Sequence, residues 1–202
     1  MSKSQIKTEF YKNYEGWVKS FNTGLCQDEN GNHLPWMPYD LIEYLEKNLK
    51  KSDIVFEYGF GTSSIFFAKR VKKVVSIETD PRWHAMMLRL IDDLKIDNIE
   101  VILMVDGLEN EKYEETANIF ARNSAINYGF DWIIVDSLKR SKCVKNAINT
   151  LSHDGKILLD DSQRQNYKKI HEFMTENKFQ CQEFEGISPG QIKSKKSWIF
   201  SR

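Results

Sequence analysis

The stretch Ile54-Val55-Phe56-Glu57-Tyr58-Gly59-Phe60-Gly61-Thr62-Ser63-Ser64 has the pattern of a strand that turns sharply into a helix. Its first residues form an apolar run, and the helical segment that follows continues from Ile65 to Ala68. Glycines let the backbone turn tightly and approach a ligand closely, while the hydroxyl residues can cap the following helix. A strand, a glycine loop and a helix in this order indicate a cofactor site of the nucleotide-binding type.

From residue 52 onward the chain alternates between short apolar runs and helical segments. Short, almost continuous runs of Val, Ile, Leu and Phe are typical of parallel strands that are buried on both faces. Predicted strands cover residues 53–57, 73–78, 99–104, 131–136 and 156–160, and predicted helices cover about 62–71, 81–94, 111–124, 139–151 and 163–176. Such alternation predicts an α/β fold with right-handed crossovers between the strands.

The end of the chain has a different pattern. Residues 179–184 and 198–201 are predicted strands, joined through Ser188-Pro189-Gly190 without a helix. So short a linker favours an antiparallel pair. We expect its lysines, Lys193, Lys195 and Lys196, to lie in the connecting loop, where they either help to admit a substrate with an acidic or phosphorylated group or simply face solvent. The complete prediction is a doubly wound, mostly parallel seven-stranded sheet with an antiparallel last strand pair.

Residues 1–51 are predicted to form a helical N-terminal cover, and residues 52–202 one compact domain. Aromatic residues recur at helical spacing between Phe10 and Phe21, and a second helix is predicted through Leu41 and Leu49. Trp36 and Tyr39 lie on a proline-containing loop before the first strand. They are expected either to pack in the core or to form a lid over the cofactor.

Bulk properties restrict the class of protein. The 202 residues carry 29 basic and 29 acidic side chains, so the zero net charge argues against a dedicated nucleic-acid binder. No apolar run approaches the roughly 18 residues of a membrane span, and Met1–Gln5 lacks the apolar core of a secretory signal. The cysteines, Cys26, Cys143 and Cys181, are scattered, which favours a reducing, cytoplasmic compartment. The sequence leaves open whether the protein forms a homo-oligomer.

A carboxylate lies at the carboxyl end of each of the five predicted parallel strands. These acids are Glu57, Glu78, Asp106, Asp136 and the pair Asp160-Asp161. In an open α/β sheet, ligands bind beyond the carboxyl ends of the strands, which all lie at one edge. A single acid there is a common cap, but acids at the ends of five strands along one edge indicate a ligand site.

The spacing of these acids favours one cofactor. Glu78 lies about 20 residues beyond the glycine loop, where an acid can bind ribose hydroxyls. Glu57, beside the loop, would repel a pyrophosphate such as that of NAD and would attract a cationic amino group. Ser64 replaces the last glycine of the dinucleotide motif, and Asp106 is placed to accept a hydrogen bond from adenine. Together these features indicate S-adenosylmethionine.

The chain resembles class I S-adenosylmethionine-dependent methyltransferases over residues 52–202. The resemblance rests on Glu57-x-Gly59-x-Gly61, on Glu78 and Asp106, and on the strand Phe130–Asp136. It implies cofactor contacts from Glu57, Gly59, Gly61, Thr62, Ser63, Glu78, Thr79, Trp83, Asp106, Gly107 and Asp136. The resemblance is specific for the fold and the cofactor and not for the substrate; we expect a small-molecule or sugar acceptor that is methylated on oxygen. The alternatives are a non-catalytic adenosyl-binding module and an NAD-dependent oxidoreductase.

The segment Asp136-Ser137-Leu138-Lys139 also resembles the catechol-type O-methyltransferases. In those enzymes an acid at this strand end binds a divalent ion, and a lysine three residues later acts as base. The resemblance implies that Asp136 and Lys139 are catalytic, and that Asp136, Asp160 and Asp161 bind magnesium through oxygen ligands. Alternatively, Lys139 starts a helix or binds an anionic substrate, and Asp160-Asp161 caps a helix.

Overall fold

The computed structural model describes residues 3–105, 112–123, 129–164 and 167–202. Three helices come first: α1 (Lys3–Lys12), α2 (Tyr14–Thr23) and α3 (Tyr39–Asn48). A strand–helix alternation follows, with β1 (Ile54–Tyr58), α4 (Thr62–Ala68), β2 (Lys73–Glu78), α5 (Pro81–Asp93), β3 (Ile99–Leu103), a 3₁₀ turn (Tyr113–Glu115) and α6 (Thr116–Asn123). The chain ends with β4 (Phe130–Val135), α7 (Arg140–Ala147), a 3₁₀ turn (Ile148–Thr150), β5 (Leu151–Leu159), α8 (Lys168–Glu176), β6 (Gln180–Ser188) and β7 (Gln191–Ser201).

The strands form one seven-stranded sheet in the order β3-β2-β1-β4-β5-β7-β6. The pairs within β1 to β5 are parallel, whereas β7 is antiparallel to both β5 and β6. The chain therefore winds outward from β1 to β3, returns to β4 and winds outward in the other direction. This order confirms the predicted doubly wound sheet with an antiparallel last strand pair.

Both faces of the sheet are covered, which explains the nearly continuous apolar strands. Val55 belongs to a core cluster that includes Leu41 and Leu45 of α3. Its neighbour Phe56 belongs to a second cluster with Val144 of α7 and Ile170 of α8. Adjacent strand residues point to opposite faces, so each strand must be apolar at nearly every position.

Several predicted boundaries are wrong. Helix α8 begins at Lys168 rather than at residue 163, and α4 ends at Ala68 rather than at residue 71. Strand β5 begins at Leu151, five residues before its predicted start, and includes a polar segment around His153. The pairing of β4 with β5 shifts register between Phe130 and Trp132, which accommodates this irregular start.

The prediction for the last loop is also wrong. Lys193, Lys195 and Lys196 lie within β7, and only Pro189-Gly190 forms the turn between the last two strands. Lys196 pairs with Glu183 across the hairpin at 2.7 Å. Cross-strand partners of opposite charge stabilise this polar segment as a strand, although its composition is that of a solvated loop.

The three N-terminal helices pack directly on the rest of the chain. The Trp17 indole N–H donates to the Gln191 carbonyl at 3.1 Å, and the ring of Tyr44 lies 5.1 Å from that of Phe184. The division into a cover of residues 1–51 and a domain of residues 52–202 stays a prediction. In the described part of the chain, no helix combines the length and the apolar character needed to cross a membrane.

Candidate functional site

One cavity contains most of the predicted site residues, and we call it the main cavity for that reason. It lies where the winding of the sheet reverses, between β1 and β4. Ligands of doubly wound sheets bind in the crevice at this point, beyond the carboxyl ends of the strands. The cavity is lined by Gly24, Cys26, Trp36, Glu57, Gly59, Phe60, Gly61, Thr62, Ser63, Glu78, Trp83, Asp136 and Ser137. Eight of the predicted cofactor contacts are in this set, and Thr79 is not. Asp106 and Gly107 lie outside the described residues.

The glycine loop brings its backbone close to the end of β4. Gly59 has a φ of 126°, in a region that side chains rarely adopt. A Cβ at this position would lie 3.4 Å from the carbonyl oxygen of Asp136. Gly61 has an extended backbone, and the contact nearest to an added Cβ would be the Trp83 ring at 3.8 Å. The first glycine is therefore required by conformation, and the second keeps the cavity open next to Trp83.

Glu57 is a buried carboxylate held by three serine hydroxyls. Ser63 donates to Oε1 at 2.5 Å, Ser76 donates to Oε2 at 3.1 Å, and Ser64 also donates to Oε2. Burial raises the pKa of Glu57 to about 7, against the opposing effect of the serine hydroxyls, and Glu78 adds to the rise. The serine hydroxyls therefore stabilise the ionised form of Glu57 only partly. A cation bound in the cavity would stabilise that ionised form further.

Glu78 is fixed by the backbone that follows β2. Its Oε1 accepts the N–H groups of Thr79 at 2.6 Å and of Asp80 at 2.8 Å. Asp80 in turn caps α5 by accepting the N–H groups of Arg82 and Trp83. The Trp83 indole N–H donates to the Phe60 carbonyl at 2.5 Å, which holds the ring against the glycine loop. An aromatic plane and a fixed carboxylate thus both border the cavity.

The N-terminal segment contributes a wall of the cavity, of which sequence reasoning identified only Trp36 as a candidate. Gly24 and Cys26 follow α2, and Trp36 precedes α3. Trp36 is 46% exposed at the cavity, whereas Tyr39 is buried in the core. Of the two lid candidates, only Trp36 therefore borders the cavity. Burial raises the pKa of the Cys26 thiol to about 12, so this group is neutral at physiological pH.

The three acids proposed as metal ligands do converge. Asp136, Asp160 and Asp161 each present a carboxylate oxygen within 4.8 Å of the others. Asp161 has a φ of 53°, and Lys139, three residues after Asp136, has a φ of 46°. Both turns thus use a left-handed residue, a conformation that is uncommon outside glycine and often marks a functional site.

Two largely buried cations of the chain lie within this acidic cluster. The Lys195 ammonium is 2.5 Å from Asp160 Oδ2 and 3.3 Å from Asp161 Oδ1. The Arg140 guanidinium contacts Asp136 Oδ1 at 2.9 Å and Asp161 Oδ2 at 3.4 Å. Burial opposes the charge of Lys195, but the carboxylates of Asp160 and Asp136 outweigh it and raise the pKa of Lys195. Lys195 is therefore a charged member of the cluster at neutral pH.

Lys139 points away from the main cavity. Its ammonium is 3.1 Å from Glu114 Oε2, in front of α6, and it lines a separate groove with Ser137, Lys142, Arg164 and Tyr167. The structure therefore separates Lys139 from Asp136, although they are one helical turn apart in sequence. The role of Lys139 as a base stays a prediction. Ser137 borders both the main cavity and the groove.

Comparison with known proteins identifies the fold. Neither a model of a known protein family nor a curated protein matches the chain. A methyltransferase from Pyrococcus furiosus is similar with a TM-score of 0.57 at 16% identity, over 98% of both chains. An rRNA methylase from Streptococcus thermophilus is similar with a TM-score of 0.56 at 15% identity, over 79% of this chain and 92% of that one.

A third solved structure contains the expected cofactor. Fibrillarin from Aeropyrum pernix, with natively bound S-adenosyl-L-methionine, has a TM-score of 0.53 at 18% identity, over 75% of this chain and 67% of that one. These similarities confirm the Rossmann-like fold of class I methyltransferases. At such low identity they establish the fold, and the function has to be argued from the site.

Proposed function

We propose that this protein is an S-adenosylmethionine-dependent methyltransferase. One observation carries the proposal: among the residues that the structure describes, the main cavity is lined by three carboxylates, Glu57, Glu78 and Asp136, and by no lysine or arginine. S-adenosylmethionine carries a sulfonium and an amino group, both cationic, and has no phosphate. An anionic cavity favours such a ligand and disfavours the pyrophosphate of NAD.

The positions of the lining residues suggest how each one acts. Glu57 is placed to accept the amino group of the methionine part, and Glu78 the ribose hydroxyls. The backbone at Gly59 and Gly61 can approach the ligand closely, and Trp83 offers a plane against which adenine can stack. Thr62 and Ser63 supply hydroxyls at the start of α4. The contacts proposed for Thr79, Asp106 and Gly107 stay predictions.

The cofactor proposal is tested by calorimetry with the Glu78→Ala variant. We expect the wild type to bind S-adenosylmethionine and not NAD. We expect the variant to bind at least about tenfold more weakly, because about 1.4 kcal/mol is a modest value for a lost hydrogen bond to a charged group. Glu100→Ala is the matched control, since Glu100 is an exposed acid on neighbouring β3. Unchanged affinity in a folded Glu78→Ala protein would show that the cofactor assignment is wrong.

For the acceptor, we propose a small molecule or sugar that is methylated on oxygen. The groove that shares Ser137 with the main cavity supports an anionic group on this acceptor. Its described lining has four cations, Lys139, Arg140, Lys142 and Arg164, and the carboxylates that pair with them, Glu114, Asp136 and Asp161, do not line it. Such a groove suits an acceptor with an anionic group. The fold does not choose the acceptor, since one structural neighbour is named as an rRNA methylase.

A hydroxyl acceptor needs a group that takes its proton. Asp136 lines the cavity, and burial together with Asp160 raises its pKa, which favours proton uptake. The protein chain contributes positioning and this base, while the cofactor supplies the methyl group. Release of labelled methyl to an acceptor separates this proposal from a non-catalytic adenosyl-binding module, which would bind the cofactor and transfer nothing.

A further inference from the structure

The resemblance to catechol-type enzymes implies a divalent metal among Asp136, Asp160 and Asp161, but the residues present do not fit one. We propose instead that the Lys195 ammonium is the resident cation of this cluster, so that the protein binds no divalent metal there. Lys195 is then a positioning residue. The inference concerns metal binding and holds whether or not the proposed cofactor is correct.

The oxygens that a metal would need are already engaged. Asp160 is fully buried, and its Oδ1 accepts from the Ser197 hydroxyl at 2.6 Å while its Oδ2 lies 2.5 Å from Lys195 Nζ. Asp161 Oδ2 accepts from Arg164 at 2.6 Å. Magnesium requires oxygens at about 2.0–2.1 Å in octahedral geometry, so it would have to displace these partners.

The charges lead to the same conclusion. Three clustered carboxylates would be costly to bury without compensation. The two largely buried cations, Lys195 and Arg140, with side chains that are only 11% and 8% exposed, reduce the formal charge of the cluster to minus one, and the more exposed Arg164 on Asp161 balances that remaining charge. A divalent ion in addition would give the cluster a net positive charge beside two buried cations. The local electrostatics therefore oppose metal binding while Lys195 is present.

Lys195 also connects three parts of the fold. Besides the carboxylates that follow β5, its ammonium donates to the Trp36 carbonyl at 2.8 Å. Trp36 borders the main cavity, and Lys195 itself belongs to β7. The lysine thus fixes the edge of the cavity as well as the acids.

The test uses Mn²⁺ as the probe, with the loss of its free-ion paramagnetic resonance signal reporting binding. The wild type should show no stoichiometric site. Lys195→Met removes the ammonium and keeps a long apolar side chain, so it should bind Mn²⁺ at least about tenfold more tightly than the wild type. Lys193→Met is the matched control, because Lys193 is exposed on the same strand. It should behave as the wild type does.

Two results would overturn the proposal. The first is a wild-type protein that binds one Mn²⁺ per chain and loses that site in Asp160→Asn. The second is a folded Lys195→Met protein that binds Mn²⁺ no better than Lys193→Met. If circular dichroism shows that Lys195→Met is unfolded, the wild-type titration decides the question, and Lys195→Arg, which retains the charge, should fold without gaining a metal site.

Discussion

Glu57 carries the clearest electrostatic signal of any single residue in the site. It combines 1% exposure with a pKa of about 7, and its serine partners come from both α4 and β2. Burying an ionisable side chain at this position costs more free energy than burying a neutral one would. A residue that is unfavourable for folding in this way is best explained by a bound cation, which is the role proposed for it here.

The raised pKa of Glu57 predicts a specific pH dependence of stability. Below about pH 4.5 the group is protonated in both states, and between 4.5 and about 7 the unfolded chain releases a proton that the folded protein retains. The free energy of unfolding should therefore fall as pH rises through this window, by about 3 kcal/mol, and the loss should be complete above it. The amide of Glu57→Gln does not titrate, so this variant should lack the part of the fall that the Glu57 carboxyl causes.

Urea unfolding at about pH 4.5 and about pH 8 measures this difference. Each protein is compared with itself at the two pH values. The hydrogen bonds that the amide side chain alters do not depend on pH, so their contribution to the free energy of unfolding cancels in this comparison. The expected result is a larger fall for the wild type than for Glu57→Gln. Parallel pH profiles for the two proteins would contradict the buried, partly protonated state of Glu57.

At the scale of elements, the loop between β1 and α4 contains a matched pair of glycines. Gly59→Ala should destabilise the protein by about 1–3 kcal/mol, because alanine is strained at a φ of 126° and its methyl group meets the Asp136 carbonyl. Gly61→Ala should cost less, since its backbone is extended, and should act mainly by narrowing the cavity beside Trp83. Thermal unfolding and cofactor titration of both variants separate the two effects. Equal losses of stability would contradict the difference in conformation.

Elements with a strong hydrophobic period could be predicted from sequence, and polar ones could not. Strand β2 was predicted with its observed bounds because Val74, Val75 and Ile77 form a nearly continuous apolar run between charged residues. Strand β7 was predicted only in its last residues, because its first half is stabilised by partners such as Glu183 that are remote in sequence. Local composition cannot reveal a strand whose stability comes from cross-strand charge pairs.

The same limit applies to the site. The strand-end acids were identified because parallel strands place their carboxyl ends at one edge, so topology alone brings Asp136 and Asp160 together. Lys195 could not be assigned to them, because it arrives on an antiparallel strand whose register the sequence does not specify. Lys139 follows Asp136 closely in the chain, yet its left-handed backbone directs it to Glu114.

At the scale of the whole molecule, the N-terminal helices share a core with the sheet. Leu41 and Leu45 of α3 are fully buried in the cluster that contains Val55 and Ile134. The turn between β6 and β7 packs on α2, where a Cβ on Gly190 would lie 3.0 Å from the Phe21 nitrogen. Helices that bury their apolar residues in this shared core have no separate core of their own. We therefore expect the chain to unfold as one cooperative unit rather than as a cover and a domain.

Leu41→Ala tests this cooperativity. Leu41 is fully buried at the contact between α3 and the sheet, so its truncation should destabilise the whole protein by about 2–5 kcal/mol. In urea, far-ultraviolet circular dichroism and tryptophan fluorescence should give coincident transitions, and both should shift to lower denaturant by the same amount. Lys47→Ala, at an exposed position of the same helix, should leave both within about 0.5 kcal/mol of the wild type. An early, separate transition in Leu41→Ala, followed by a second one at the wild-type midpoint, would show that residues 1–51 unfold independently of the sheet.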